Sequence, residues 1–233
     1  MVTMGYISSA LDYMMIGPEG RPRPPVRLRS ANKQDLYDVA RVYLRAFPDT
    51  LSYLKSPKLS ALAVADVMRA PLLADPGSII LAHAPAGEVV GYVIAVTDAS
   101  VIAHTALLRG LFLTWLARWL RGLYHLSPPG AAALLRDKLR LRQAWRMGDT
   151  EIPSRLLSIA VPPEWQGQGI GTRLLEAAFQ RLRELGRTRV RLEVRPENAS
   201  AHRLYGKMGF STVGEFVDRR GRWLVLVANT DVH

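Results

Sequence analysis

Apolar residues alternate with polar ones, or form short apolar runs, at several places along this 233-residue chain. Each place predicts a β-strand, because the side chains of a strand point alternately to its two faces. Apolar positions at helical spacing lie between some of these strands and predict helices over residues 33–47, 60–74 and 173–185. Together these elements predict one mixed α/β domain. The predicted strands are residues 26–29, 78–83, 88–97, 156–161, 189–194, 211–217 and 223–227.

A helical segment interrupts this pattern between the third and fourth predicted strands. Apolar pairs recur at helical spacing from about residue 100 to Tyr124, and the breaker sequence at 127–130 (Ser-Pro-Pro-Gly) ends that run. A second, basic helix is predicted over residues 131–147. We therefore expect residues 100–148 to form a helical hairpin inserted into the sheet domain.

The domain itself is expected to span residues 24–233, preceded by a tail or strap over residues 1–23. Cysteine is absent, which excludes disulfides, thiolate nucleophiles and thiolate metal sites. The five histidines lack metal-ligand spacing, so no metal is expected. Residues 1–17 lack a basic start followed by a clean apolar run, and no apolar stretch reaches transmembrane length. We therefore expect a cytoplasmic protein.

The net charge of +11 is concentrated in the inserted segment. Eight of its residues between 100 and 148 are arginine or lysine, and only Asp137 is acidic, which leaves +7 there. Such a surplus attracts anions. An acidic small molecule, an acidic protein, nucleic acid and anionic lipid all carry the charge that suits this segment, and all remain open as its partner.

The most informative local motif is the glycine-rich stretch Gln166-Gly167-Gln168-Gly169-Ile170-Gly171-Thr172. It lies between a predicted strand and a predicted helix. Glycine lets the backbone approach a ligand closely, and the first amides of a helix have no internal partner. With the helix dipole behind them, these amides predict a phosphate site.

The spacing of the glycines excludes two common phosphate loops. A P-loop needs Lys and then Ser/Thr after its last glycine, whereas Thr172-Arg173 follow Gly171. A dinucleotide fingerprint needs G-x-G-x-x-G directly after the strand, and here Pro162-Pro163 intervene. Gln166, Gly169 and Gly171 instead resemble the pyrophosphate loop Q/R-x-x-G-x-G/A of the GCN5-related N-acetyltransferase (GNAT) superfamily.

The sequence after the loop extends this resemblance to about Phe210. Asn198, Ala201, Leu204-Tyr205 and Gly209-Phe210 are similar to the superfamily pattern N-x-x-A-x-x-L-Y-x-x-x-G-F. The context Leu192-Glu193-Val194-Arg195 is similar to the ribosomal-protein N-terminal acetyltransferases. The resemblance implies the acyl-CoA N-acyltransferase fold, a mixed, mostly antiparallel twisted sheet flanked by helices, here with a helical insertion.

The resemblance also implies how acetyl-CoA would be held. In this superfamily the amides of the glycine-rich loop bind the pyrophosphate, and the pantetheine arm pairs with the backbone of the fourth strand. The corresponding residues here are Ile159, Ala160, Val161, Gln166, Gly167, Gln168, Gly169, Ile170, Gly171 and Thr172, with Asn198 and Tyr205 beside them.

Two side chains are expected to move protons. The attacking amine must lose a proton, and Glu193 is the candidate base; its alternative role is a strand carboxylate paired with a neighbouring arginine. Tyr205 is the superfamily's usual acid for the departing thiolate. The sequence therefore predicts acetyl transfer to a primary amine by direct attack, and the alternative is a non-catalytic acyl-CoA-binding regulatory or scaffolding module.

The acceptor is not identified by the sequence. It is expected to be a small-molecule or peptide amine, with an acidic acceptor as one option for the basic insertion. The insertion could also form a homodimer interface or lie on an anionic membrane surface. Nucleic-acid binding is not expected, because no aromatic–basic platform accompanies the charge.

Overall fold

A computed structural model describes residues 25–48, 60–129, 132, 152–218 and 221–231. The predicted tail, nearly all of the predicted basic helix and residues 219–220, between the last two predicted strands, lie outside these residues. The strands are β1 Arg27–Ser30, β2 Ile79–His83, β3 Val89–Val96, β4 Arg155–Ala160, β5 Arg189–Val194, β6 Ser211–Asp218 and β7 Gly221–Asn229. The helices are α1 Leu36–Ala46, α2 Ala61–Ala74, α3 Val101–Leu108, α4 Leu111–Leu120, α5 Ile170–Glu184 and α6 Ala199–Lys207.

The strands form one mixed sheet in the order β1-β2-β3-β4-β5-β7-β6. The β4–β5 pairing is parallel and all the other pairings are antiparallel. The crossover from β4 to β5 contains α5, as a parallel connection requires. This confirms the predicted mixed, mostly antiparallel sheet.

Helices cover both faces of the sheet. On one face, α5 buries Leu174, Phe179 and Leu182 against alternate residues of the central strands, and Tyr205 of α6 joins the same core. On the other face, α1 and α2 bury Val39 and Met68 against the intervening residues of the same strands. The strand period of two therefore separates two cores, one on each side of the sheet.

Two helix boundaries differ from the sequence prediction, and a glycine with positive φ explains each. The helical run expected from residue 100 to Tyr124 is divided into α3 and α4 at Gly110, where φ is 65°. Helix α5 begins at Ile170 rather than Arg173, because Gly169 adopts the left-handed conformation (φ 77°) immediately before it. Gly171 and Thr172 consequently lie in the first turn of α5.

Helix α1 also begins later than predicted, at Leu36. The Asn32 side chain accepts a hydrogen bond from the Gln34 amide and holds residues 33–35 in a turn instead. Among the described helices, none combines the length and apolar character that a membrane span requires.

Candidate active site

The parallel strands β4 and β5 are joined at one end and separate toward the other. Arg155 pairs with Arg191, and the Arg191 amide donates to the Ser154 carbonyl over 3.1 Å. Beyond Arg155, no residue of β4 pairs with β5. A β-bulge at Leu157 also disrupts the register of β4 against β3, and bulges bend the strand that carries them. The separation leaves backbone groups of residues 159–161 facing a gap between the two strands.

The glycine-rich loop begins at the open end of that gap. A 3₁₀ turn, Pro163–Trp165, follows β4 and leads into the loop. The Gln166 side-chain amide donates to the Val161 carbonyl over 2.9 Å, and that of Gln168 donates to the Glu164 carbonyl over 3.1 Å. Both glutamines therefore fix the loop against the chain that leads into it.

Each glycine of the loop has its own conformational or packing requirement. Gly167 and Gly169 adopt φ values of 75° and 77°, in the left-handed region that favours glycine. Gly171 has no such φ, but a Cβ there would come within 3.2 Å of Leu204 Cδ2. The first two glycines thus shape the loop, and the third lets the start of α5 pack closely against α6.

The loop directs a row of free amides outward. In the described part of the chain, the backbone N–H groups of residues 167–172 have no hydrogen-bond acceptor. They precede and form the first turn of α5, a 15-residue helix whose dipole favours negative charge at this end. Because the Ile170 side chain is buried in the core, only its backbone can contact a ligand. This geometry fits a pyrophosphate.

Helix α6 places Tyr205 close to the loop. Asn198 caps this helix, because its side-chain oxygen accepts from the Ala201 amide over 3.1 Å, as residues of this type commonly do. Tyr205 follows Leu204, which contacts Gly171, and its ring packs edge-on against Phe210 at 5.4 Å. Its hydroxyl makes no hydrogen bond to any residue that the structure describes. Burial raises the pKa of the Tyr205 phenol above its ordinary value.

Glu193 lies where β4 and β5 begin to separate, on the opposite face of β5 from the core that contains Tyr205. Its Oε1 accepts hydrogen bonds from Arg155 Nη1 over 2.6 Å and from Arg191 Nε over 3.1 Å. Its Oε2 accepts none from the described residues. The carboxylate side chain is only 16% exposed. Glu193 is therefore paired on one oxygen and unpartnered on the other.

The sequence analysis did not identify the two arginines of this cluster. Both are buried, Arg191 to 1% exposure, and Arg191 Nη1 is a fully buried group without a partner. Burial lowers the pKa of Arg155, Glu193 opposes that effect and Arg191 adds to it. Arg191 lies two residues before Glu193 on the same strand face, a spacing that the sequence does contain; the position of Arg155 depends on the strand register.

Two of the described histidines contact backbone carbonyls. His83 Nδ1 contacts the Gly87 carbonyl at 3.1 Å, and His202 Nε2 contacts the Arg195 carbonyl at 3.0 Å. Within the described residues, no group of three or more histidine or carboxylate side chains is placed to hold a metal ion.

Comparison with known proteins identifies relatives of the core of this fold. Residues 138–210 match the Acetyltransferase (GNAT) family. A 56-residue stretch is 45% identical to the ribosomal protein bS18-alanine N-acetyltransferase of Escherichia coli K12 and covers 24% of this chain and 38% of that enzyme. The chain thus matches less than half of the length of this curated relative.

Solved structures extend the likeness to most of the chain. The crystal structure of SsHAT has a TM-score of 0.64 and 22% identity, and the match covers 90% of this chain and 100% of that one. The structure of yncA from Salmonella typhimurium, solved with its cofactor acetyl-CoA, has a TM-score of 0.53 and 17% identity over 89% of this chain and 95% of that one. At these identities the likeness shows the fold.

The mixed sheet with separating β4 and β5, the glycine-rich loop before α5 and the family match over residues 138–210 are consistent with one another. The predicted resemblance is confirmed, including its similarity to the ribosomal-protein acetyltransferases. The chain therefore has the fold of the GCN5-related N-acetyltransferases, and its residues 138–210 are similar to that family.

Proposed function

We propose that this protein is an acetyl-CoA-dependent N-acetyltransferase that moves an acetyl group to a primary amine by direct attack. The observation that carries the proposal is the row of unpartnered amides at residues 167–172, beside the strand edge that β4 leaves unpaired. An anion site next to a free strand edge suits a ligand with a pyrophosphate and an amide-containing arm.

Most contacts in the proposed coenzyme site would come from backbone groups, and Asn198 would add a side-chain contact. Residues 167–172 would hold the pyrophosphate through their amides, and residues 159–161 would pair with the pantetheine arm. The Val161 carbonyl already accepts a hydrogen bond from Gln166, so Ile159 and Ala160 offer the freer backbone groups. Asn198 has its side-chain oxygen engaged in the helix cap and its Nδ2 free of described partners. Bound acetyl-CoA would supply the acetyl group as an activated thioester.

Glu193 is the proposed base. A lysine-like amine is mostly protonated at neutral pH and must lose a proton before it attacks. Arg155 and Arg191 both bond to Oε1 and fix the orientation of the carboxylate, which leaves Oε2 to accept that proton. Both arginines are therefore proposed as positioning residues that act through Glu193.

Tyr205 is the proposed acid. When the new C–N bond forms and the C–S bond breaks, the departing sulfur needs a proton, and the Tyr205 hydroxyl would give it. Burial raises the pKa of this phenol, so it keeps its proton throughout the neutral range. Tyr205 packs in the core on one face of β5 and Glu193 lies on the other face, so the proposal places the acid and the base on opposite sides of the sheet.

The acceptor is proposed to be a primary amine of a peptide or a small molecule. The E. coli relative is named for the alanine of ribosomal protein bS18, which makes a protein N-terminus the first acceptor to test. An acidic acceptor is also proposed for testing, because the segment 100–148 is strongly basic.

Calorimetric titration with acetyl-CoA tests the proposed coenzyme site. Gly169→Glu places a carboxylate where the pyrophosphate would bind, and it should abolish the micromolar binding expected of the wild type. Gly186→Glu is the matched control, because Gly186 has a similar φ of 71° at the far end of α5 and a Cβ there meets nothing within 4 Å. Equal losses of acetyl-CoA affinity in both variants would indicate backbone strain rather than an anion site.

Release of free thiol with a panel of amines then separates the enzyme from the alternative, a non-catalytic acyl-CoA-binding module. Binding of acetyl-CoA without turnover of any peptide or small-molecule amine would favour the module. No binding to the wild type would reject the proposed donor.

A further inference from the structure

Exposed apolar side chains are concentrated on one side of α3 and α4. Leu108, Leu113 and Leu120 are 72%, 73% and 70% exposed. Leu113, Leu116 and Leu120 follow one another at helical spacing and form a continuous stripe along α4. We call the following side chains the leucine face: Leu107, Leu108, Phe112, Leu113, Leu116 and Leu120.

The opposite side of these helices is fixed to the acetyltransferase fold. Ala106 and Leu111 are buried against Ala70 of α2. The Asp66 carboxylate of α2 accepts hydrogen bonds from Arg118 Nη1 and from the Tyr124 hydroxyl, each over 2.6 Å. Packing and hydrogen bonds on the inner side of α3 and α4 therefore hold the leucine face outward.

Unpaired positive charge borders the leucine face. Residues 101–129 contain no aspartate or glutamate. Arg109 precedes α4 and Arg121 follows it; both are exposed, and neither forms an ion pair with a described residue. Arg118, in contrast, turns inward to Asp66. The arginines next to the leucine face are thus the ones left without a counter-charge.

Aromatic rings lie at the boundary between the exposed and the buried side of α4. Trp115 packs edge-on against Phe112 at 5.0 Å, and Trp119 donates its Nε1–H to the Leu126 carbonyl over 2.9 Å. Both tryptophans are partly buried. Aromatic side chains with one apolar and one polar end are enriched at membrane interfaces.

We propose that the leucine face docks on an anionic lipid surface. An amphipathic helix with leucine and aromatic residues on one side and unpaired arginines at its ends lies in the plane of such a surface, with its apolar side in the acyl boundary. Negative lipid headgroups would pair with Arg109 and Arg121, and the net charge of +7 over residues 100–148 has the matching sign. A second copy of this chain would bring the same unpaired arginines and no acid from this segment. This inference goes beyond the proposed function and does not depend on it.

Flotation of the full chain with lipid vesicles tests the proposal. We expect binding to phosphatidylcholine vesicles that contain phosphatidylglycerol, little binding to phosphatidylcholine alone, and weakening by salt. Arg109→Gln/Arg121→Gln should weaken binding roughly thirtyfold, from the attraction of each basic side chain near an anionic surface. Arg183→Gln/Arg189→Gln, which removes two exposed charges elsewhere, is the control for net charge.

The apolar contribution needs its own pair of variants. Leu113→Gln/Leu120→Gln should abolish flotation, whereas Leu185→Gln, at a leucine 51% exposed beyond α5, should not. Cooperative urea unfolding with a midpoint close to that of the wild type serves as the check that each variant is folded. Failure of the wild-type protein to bind the anionic vesicles would overturn the proposal. Equal losses of vesicle binding in the two arginine double variants would also overturn it. So would a wild-type protein that is a dimer in solution and binds no vesicle, if Leu113→Gln/Leu120→Gln converts that dimer to a monomer.

Discussion

Arg155 and Glu193 form an ion pair of 2.6 Å at the point where β4 and β5 are still joined. Arg191 contacts the same carboxylate oxygen, so two buried guanidinium groups share one partly buried carboxylate. Replacing one partner of such a cluster leaves uncompensated charge in the interior. The proposed base is therefore also part of the structure that sets where the strands separate.

We expect Glu193→Gln to lower both stability and turnover. Loss of the carboxylate should reduce the free energy of unfolding by about 3 kcal/mol, since buried arginines lose their counter-charge. If Glu193 is the base, kcat should also fall by about a hundredfold or more. Urea unfolding and steady-state kinetics at a temperature where the variant is fully folded measure the two effects separately.

Arg155→Gln is the matched control for that experiment. It breaks the same ion pair and keeps the carboxylate. Because Arg191 still bonds to Oε1 in this variant, we expect kcat to fall less than in Glu193→Gln at a comparable loss of stability, and an equal fall in kcat would contradict the assignment of Glu193 as the base.

The carboxylate of Asp35 should make stability depend on pH at the acidic end. Burial alone would raise its pKa, but two hydrogen bonds from Arg29 and one from the Asn32 amide outweigh that effect and hold the pKa below its usual value. The ionised form therefore stabilises the folded state fully above the unfolded-state pKa of about 4. This stabilisation is lost as the pH falls through the lower folded-state value.

Asp35→Asn should thus lower stability at neutral pH and flatten its decline below about pH 4. Urea unfolding over a series of pH values measures this. Asp38→Asn is the control, because the Asp38 side chain is half exposed and its Oδ1 lies 3.8 Å from Arg41 Nη1, in a weak surface ion pair. An Asp35→Asn curve parallel to the wild-type curve throughout the acid range would contradict the assignment.

Local patterns in the sequence were sufficient to predict the sheet and the glycine-rich loop between β4 and α5. Alternation gave the positions of the strands to within a few residues, and the spacing of Gln166, Gly169 and Gly171 indicated the loop. Strand alternation and loop glycines are local properties, since the backbone conformation of a few residues determines them.

The partners of Glu193 could not be predicted in the same way. The Arg155–Glu193 contact joins residues 38 positions apart and depends on the register between two strands. The break at Gly110 was missed because the apolar pattern continues across it, whereas the left-handed φ appears only in three dimensions. The outward orientation of the leucine face also depends on a distant residue, Asp66 of α2.

Asp66→Asn should loosen α4 without affecting the coenzyme site. The variant weakens the charge-assisted hydrogen bond with Arg118, so we expect the free energy of unfolding to fall by about 2 kcal/mol. Burial, followed by the hydrogen bond to Asp66, raises the pKa of Tyr124, which keeps its hydroxyl a donor across the accessible pH range. Hydrogen exchange should accelerate in residues 111–120 while acetyl-CoA affinity is unchanged.

Tyr124→Phe is a milder variant for comparison. It removes one of the hydrogen bonds to Asp66 and should lower the free energy of unfolding by about 1 kcal/mol. Unchanged exchange in α4 of the Asp66→Asn protein would mean that apolar packing alone holds this helix in place.

Tyr205→Phe should separate catalysis from coenzyme binding. The Tyr205 hydroxyl has no hydrogen-bond partner among the described residues, and its ring packs in the core, so the variant should fold with nearly wild-type stability. If the hydroxyl protonates the departing sulfur, kcat should fall by about a hundredfold while acetyl-CoA affinity is retained. Burial raises the pKa of Tyr205, so its deprotonation should cause no loss of wild-type activity below about pH 10.

Tyr37→Phe is the control for loss of a tyrosine hydroxyl, because Tyr37 is half exposed on α1 and its ring can keep its contact with Arg41. Turnover by Tyr205→Phe equal to that of the wild type would remove Tyr205 from the mechanism. The proton for the thiolate would then have to come from solvent, which the gap between β4 and β5 could admit. A Tyr205→Phe protein that binds acetyl-CoA normally but has lost turnover would instead exclude the non-catalytic module, because only an enzyme has a rate for this hydroxyl to change.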